Sequence, residues 1–252
     1  MTALVTGAGG GLGRAVAVAL AGAGHDVAVH HRSGEDGARV TAAEVEACGR
    51  RATTLYADLD VPLAEPAALD AVCTDLLDRC AAALGGPDVV VLSAFPQHVV
   101  PWDDLDAAAW DDYHRAGFRP TAALLHAATA RMDAGGVVVV VGSVEGLRPA
   151  PGHAPYAVAK AALHHLVAAA AQEVGRRGVR VVGVAPGLVD RPGLAADWPD
   201  GVARFEAAAA LGRPVRPQEV AATVAFLASG VASGIAGTTV TVDAGWSAAP
   251  GW

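Results

Sequence analysis

The 252-residue sequence contains no asparagine, one isoleucine (Ile235) and one lysine (Lys160), so 17 of its 18 basic residues are arginine. Its three cysteines, Cys48, Cys73 and Cys80, are an odd number without metal-like spacing, which reads as small buried hydrophobes in a reducing compartment. No cluster of His, Cys and carboxylates has ligand spacing either, so no catalytic metal is expected. No apolar run reaches the roughly 18 residues of a membrane span. The opening Met-Thr-Ala-Leu-Val lacks the basic region and apolar stretch of a signal peptide, and the chain is read as cytoplasmic. Charged residues make up only 17%, with a net charge of −8, which argues against nucleic acid and anionic membrane as partners.

What is abundant is Ala, Gly, Val and Arg, the signature expected of a coding bias against AT-rich codons. Such a bias, having removed every lysine but one, asks what position 160 needs that arginine cannot do. The 53% hydrophobic content is ample for a buried core and excludes a disordered chain.

Short β-branched runs at 3–6, 27–30, 52–56, 89–92, 137–141, 179–184 and 238–242 alternate with Ala-rich helical stretches at 12–23, 34–48, 66–84, 104–133, 156–177, 201–210 and 217–229. The alternation predicts a single α/β domain over residues 1–252. It would be a doubly wound parallel seven-stranded sheet of the Rossmann type, with helices on both faces. Strands that are apolar throughout, such as 137–141, suit a sheet covered on both sides.

The first strand runs into Thr6-Gly7-Ala8-Gly9-Gly10-Gly11-Leu12-Gly13 and then a helix. Glycines there permit a tight turn and bring backbone N–H groups to a pyrophosphate at the helix N-terminus. After strand two the chain carries His30-His31-Arg32-Ser33 where an acid would bind a ribose 2′-hydroxyl. A guanidinium matches a 2′-phosphate in charge and fork geometry, so NADP(H) is the expected cofactor. His30 and His31 either assist or lie on the surface. Asp58 either reads an adenine edge or serves as a capping residue.

Ser143 follows the fifth strand, and Tyr156 and Lys160 sit one turn apart on one helix face. A phenol with a pKa of about 10 is a poor acid–base catalyst, and a nearby ammonium favours its ionised form. Lysine is also compact enough to donate to ribose hydroxyls where the wider arginine fork is not an easy substitute.

These residues resemble the short-chain dehydrogenase/reductase family over essentially the whole chain. The resemblance rests on Thr6-Gly7-x-x-x-Gly11-x-Gly13, Asp58-Leu59, Ser143 with Tyr156-x-x-x-Lys160, Pro186-Gly187, and the tail from Gly212-Arg213-Pro214 to Val242-Asp243-Ala244-Gly245. It implies that Tyr156 protonates a carbonyl oxygen as hydride arrives, Ser143 orients that oxygen, and Lys160 holds the nicotinamide ribose. Implied cofactor contacts are Thr6, Gly7, Gly11, Leu12, Gly13, His31, Arg32, Ser33, Asp58, Leu59, Ser93, Ala94, Pro186, Gly187 and Val189. The family's frequent homotetramer or homodimer is also implied, with the helices around Leu124 and Leu163 as candidate contacts.

The chain departs from the pattern where the family usually has Asn-Ala-Gly; it has Ser93-Ala94-Phe95. The family's fourth catalytic Asn falls on Gly117, which permits a local helix irregularity, and another frequent Asn falls on Val182. Substrate walls are expected from Phe95, Trp102, Glu145, Leu147, Arg191, Trp198 and Phe205, with a mobile lid over about 188–213. His98 and His153 are placed near the mouth in surface roles.

The leading expectation is an NADPH-dependent reductase of a ketone or 3-oxoacyl small molecule, similar to 3-oxoacyl-carrier-protein reductases. A pterin or dihydrofolate-type reductase is the alternative, with Phe95 stacking on a flat ring. A non-catalytic NADPH-binding sensor is the third.

Overall fold

Five consecutive valines form the strand Val137–Val141 and all five are buried, because helices cover both faces of the sheet to which it belongs. The computed structural model describes residues 1–248. In chain order the strands are β1 (Thr2–Val5), β2 (Asp26–His31), β3 (Ala52–Tyr56), β4 (Val89–Leu92), β5 (Val137–Val141), β6 (Arg180–Pro186) and β7 (Thr239–Val242). They make one parallel sheet in the order β3-β2-β1-β4-β5-β6-β7. The helices are α1 (Gly11–Gly22), α2 (Glu35–Ala47), α3 (Pro66–Leu84), α4 (Ala107–Tyr113), α5 (Arg119–Arg131), α6 (Ala154–Val174), α7 (Leu194–Asp197), α8 (Pro199–Ala208) and α9 (Pro217–Ala228).

Strand residues alternate between two cores, as the period of 2 requires. Val5, Val27, Val29, Val91, Val139 and Val184 meet Val16 and Leu20 of α1 and Val220, Val224 and Leu227 of α9. Leu4, Ala28, Val90, Val138 and Val140 meet Leu76 and Leu77 of α3, Leu124 of α5 and Leu163 of α6. Leu124 and Leu163 themselves point into the molecule's own core. Cys73 and Cys80 share the inner face of α3, and burial pushes their thiols up to about 12 and about 11, leaving both inert. At β1 the strand order reverses direction, so the loops after β1 and β4 diverge and open a crevice at the carboxyl edge.

The single helix expected over 104–133 is broken. A short 3-10 turn (Trp102–Asp104) precedes α4, a π turn occupies His114–Phe118, and α5 follows. Pro120 explains the break, since it cannot donate to the carbonyl four residues back and its ring would strike it. The helix expected over 201–210 is α8, preceded by the additional short helix α7. Strand β6 runs through Pro186 instead of ending before it. Among the described residues, no helix is long and apolar enough to cross a membrane.

Candidate active site

The glycine loop lies at the carboxyl end of β1. Gly7 has φ +67°, and a Cβ there would stand 3.0 Å from the Ala94 backbone, so both conformation and space demand glycine. Thr6 does not face outward. Its buried Oγ1 accepts the N–H groups of Ser93 (2.9 Å) and Ala94 (3.0 Å), fixing the loop after β4 against the loop after β1. No side chain caps the first turn of α1, and open space surrounds the positions where Gly10 and Gly11 would carry a Cβ. The first amides of α1 are thus bare, which suits an anion.

A cavity of about 300 Å³ runs from this loop along the ends of β2 and β3 to Phe95. Gly7, His31, Arg32, Ser33, Leu59, Ala94 and Phe95 line it among the expected residues, joined by Asp60 and Ala116. The Arg32 guanidinium lies 3.4 Å from Asp60, whose other oxygen pairs with Arg115 of the π turn. Asp58 instead accepts the Asp60 N–H at 2.9 Å, closing a local turn. His30 is not at the surface: it is 2% exposed, with both ring nitrogens bonded to backbone. The bare helix terminus, the glycine cradle and the cationic rim fit a dinucleotide.

At the Phe95 end the chemical groups converge. Ser143 lies close enough to Tyr156 to favour its ionised form, and Ser143 Oγ accepts the Glu145 N–H at 3.2 Å. Burial pushes the Tyr156 phenol up to about 12, and the neighbouring Ser143 hydroxyl pulls it back only in part. Lys160 is 3% exposed and donates to the Val141 carbonyl at 2.9 Å. Burial pulls its ammonium down to about 7. In the protein without cofactor, desolvation therefore outweighs the expected lowering of the phenol by the lysine. The Ser143 N–H points at His164 Nε2, 3.4 Å away, one helical turn beyond Lys160.

The expected substrate walls are only partly assembled. Trp102 (72% exposed), Leu147 and Trp198 lie at the surface. Arg191 pairs with Asp197 at 2.6 Å across a turn of the 188–213 segment. Phe205 is buried, stacked on Trp246 with ring centroids 6.1 Å apart. Val189 bridges Val215, pinning the root of that segment, and the Gly187 N–H donates to the Val242 carbonyl beside Pro186. Glu145 accepts a bond from His153 at 2.8 Å, and that imidazole lies edge-on to Tyr156 at 6.0 Å, so His153 is a wall residue and not a surface one. Leu12 and Gly13 lie in the first turn of α1.

A family profile described as enoyl-(acyl carrier protein) reductase matches residues 7–247. The 3beta-hydroxysteroid dehydrogenase 1 of Eggerthella lenta is 33% identical, with 100% of this chain and 95% of that protein covered. The cis-4-hydroxycyclohexanecarboxylate dehydrogenase of Sinomonas cyclohexanicum is 35% identical over 98% of this chain and 96% of its own. A short chain dehydrogenase from Burkholderia cenocepacia, solved in complex with NADP, superposes with a TM-score of 0.87 at 32% identity, covering 98% and 97% of the two chains. The chain belongs to the short-chain dehydrogenase/reductase family.

As a short-chain dehydrogenase/reductase it is an oxidoreductase that transfers hydride with a nicotinamide cofactor. Sequence reasoning missed Tyr113 at this family member's site. That residue is 1% exposed, and its hydroxyl accepts the His98 N–H (2.9 Å) and donates to the His98 carbonyl (2.6 Å), holding the stretch before Trp102. No spacing links residues 98 and 113. The Asp60–Arg115 pair was equally invisible, because the π turn that aims Arg115 was read as plain helix.

Proposed function

We propose that the protein is an NADP(H)-dependent reductase of a ketone, or a dehydrogenase of the matching secondary alcohol, with Tyr156 as proton donor. The convergence of Ser143, Tyr156 and Lys160 behind Phe95, which itself lines the cavity, carries this reading. The bound cofactor supplies the hydride. Tyr156 passes its phenolic proton to the carbonyl oxygen while Ser143 donates a hydrogen bond to the same oxygen. Of the three N–H donors of Lys160, Val141 takes one and the Phe95 ring faces another, which leaves one for a ribose hydroxyl. Its charge stabilises the phenolate that Tyr156 becomes.

Arg32 is assigned to the 2′-phosphate. Arg115 holds Asp60 as well, so Arg32 can turn to a phosphate without leaving that carboxylate alone. Gly7, Gly11, Leu12 and Gly13 serve the pyrophosphate, and His31, Ser33, Asp58, Leu59, Ser93, Ala94, Pro186, Gly187 and Val189 complete the binding surface. Relatives named for a hydroxysteroid and a hydroxycyclohexane acid support a secondary alcohol and ketone pair over a pterin. The aromatic face that would stack on a pterin, that of Phe95, lies against Lys160. The same reading carries a cytoplasmic homotetramer or homodimer, which light scattering measures, and a lid over about 188–213.

The deciding experiment is NADPH consumption over ketones, quinones, β-ketoacyl thioesters and pterins, with Tyr156→Phe as the blank. The variant should lose activity on the order of 10²–10⁴-fold. A variant as fast as the parent defeats the assignment of Tyr156. Tight NADPH binding with no turnover across the panel would make the protein a sensor.

A further inference from the structure

Phe95 lies between the sole lysine and the one glycine of the π turn. The Lys160 Nζ stands 3.8 Å from the centre of the Phe95 ring. On the other side, a Cβ at Gly117 would fall 2.6 Å from the ring's Cζ and 2.8 Å from its Cε2, so the ring occupies the space that any side chain at 117 would need. The Gly117 carbonyl is occupied too, accepting the Thr121 hydroxyl at 2.8 Å. Tyr156 meets the ring edge-on at 5.8 Å and Tyr113 lies 6.5 Å away, so its orientation is fixed by its neighbours.

We propose that Phe95 is the positioning residue for Lys160: its ring, seated in the room Gly117 leaves, holds the ammonium by its face and keeps water from it. An aromatic face attracts a cation through its quadrupole, most strongly where water is excluded. Val141 supplies the other partner, a carbonyl dipole. The titratable groups around the ammonium are Tyr156 and His164 on α6 and Tyr113 on α4. No carboxylate contributes to the shift of Lys160, whose cause is burial alone. Phe95 and Gly117 are accordingly a matched pair: the ring requires glycine, and the lysine requires the ring. The kinetic part of this inference rests on the catalytic reading of Lys160 given above; the structural part does not.

The single lysine makes the test direct. Protein labelled with ¹³C,¹⁵N-lysine, carrying a lysine-free tag, gives one side-chain signal. That Cε/Hε signal should lie upfield of free lysine, shielded by the ring, and its pH titration reads the ammonium without substrate or cofactor. Phe95→Leu keeps the site dry but removes the face: the upfield shift should vanish and the midpoint should fall by about one pH unit. Phe95→Ala admits water and should move the midpoint the other way. In turnover, Phe95→Leu should lower kcat roughly 10- to 30-fold with a smaller change in cofactor KM.

Gly117→Ala reaches the same end without altering Phe95, since its Cβ must push the ring aside, so the proposal stays testable if a Phe95 variant fails to fold. In the Phe95→Leu background, Gly117→Ala should cost little more. A lysine signal at the free-lysine position in the parent overturns the proposal, as does a Phe95→Leu midpoint equal to the parent's. Fully additive losses in the double variant would do the same. Failure of the ketone reading would instead show as absent turnover with the shielded lysine signal intact.

Discussion

His30 ties the glycine loop to the sheet: its Nδ1 accepts the Gly7 N–H at 3.2 Å, and its Nε2–H donates to the Ala57 carbonyl at 3.1 Å. This arrangement needs the neutral ring, and burial pulls the imidazole down to about 4. Between pH 6.5 and 4 the unfolded chain binds a proton that the folded protein refuses. Stability should therefore fall as pH drops through that window, by about 3 kcal/mol in total, and level off below it. Thermal melts from pH 7 to 4 measure this. His30→Asn should flatten the decline and raise the cofactor KM; an unchanged slope would assign the acid sensitivity elsewhere.

Arg32→Ala should weaken NADPH by at least about tenfold, the loss expected for a charge-assisted bond to a phosphate, and leave NADH nearly unchanged. Asp60→Asn should act in the opposite sense, because Arg32 no longer has a carboxylate competing 3.4 Å away. Cofactor titration by fluorescence reads both. Equal weakening of NADPH and NADH by Arg32→Ala would discard the 2′-phosphate assignment.

Tyr156, pushed up to about 12, remains protonated over the ordinary working range and is always ready to act as an acid. Reduction should then show no acidic limb from this residue. It should decline as pH rises through the titration of Lys160, at about 7 or above because the cofactor's negative charge favours the ammonium. Oxidation needs the phenolate beside a charged Lys160, so it should rise with pH below that titration and level off above it. Profiles of kcat/KM in both directions between pH 5 and 10 test this; parallel profiles would contradict it.

Burying Lys160 costs stability. Its folded pKa of about 7 lies below the unfolded value of 10.5, so the unfolded chain holds more protons between those limits and stability rises with pH across them. Lys160→Met should be inactive yet more stable at pH 6, by a few kcal/mol in order of magnitude, with the gain shrinking toward pH 10.5. Chemical denaturation at pH 6 and pH 9 checks the sign. A destabilised Lys160→Met at pH 6 would mean that the ring and the Val141 carbonyl more than offset desolvation.

The layered fold was legible because its signals are local and periodic. Val137–Val141 suits a strand buried on both faces, and Gly7 through Gly13, set between a strand and a helix, suits a tight phosphate turn. The spacing of Tyr156 and Lys160 fixed their common face for the same reason. What stayed hidden depends on contacts across the chain. Gly117 permits a helix irregularity, but its form, a π turn that seats Phe95 against Gly117, follows from a residue 22 positions away. His30 reads as either a cofactor aid or a surface histidine until the paths of β1 and β3 bury it. The exposed Trp102, Leu147 and Trp198, expected as pocket walls, show the same limit: apolar character does not state which surface a loop will turn inward.

The all-valine strand has one more consequence. Five identical side chains, buried on both faces, carry no information about alignment, so a slip of β5 by one residue would exchange valine for valine. The alignment is written at the strand's end instead. Gly142 packs so closely on the His164 ring that no side chain fits there, and its N–H donates to the Val184 carbonyl at 2.7 Å. One step of slip, about 3.3 Å, would carry Ser143 out of reach of Tyr156. Gly142 is thereby the stop that indexes a featureless strand to the chemistry beyond it.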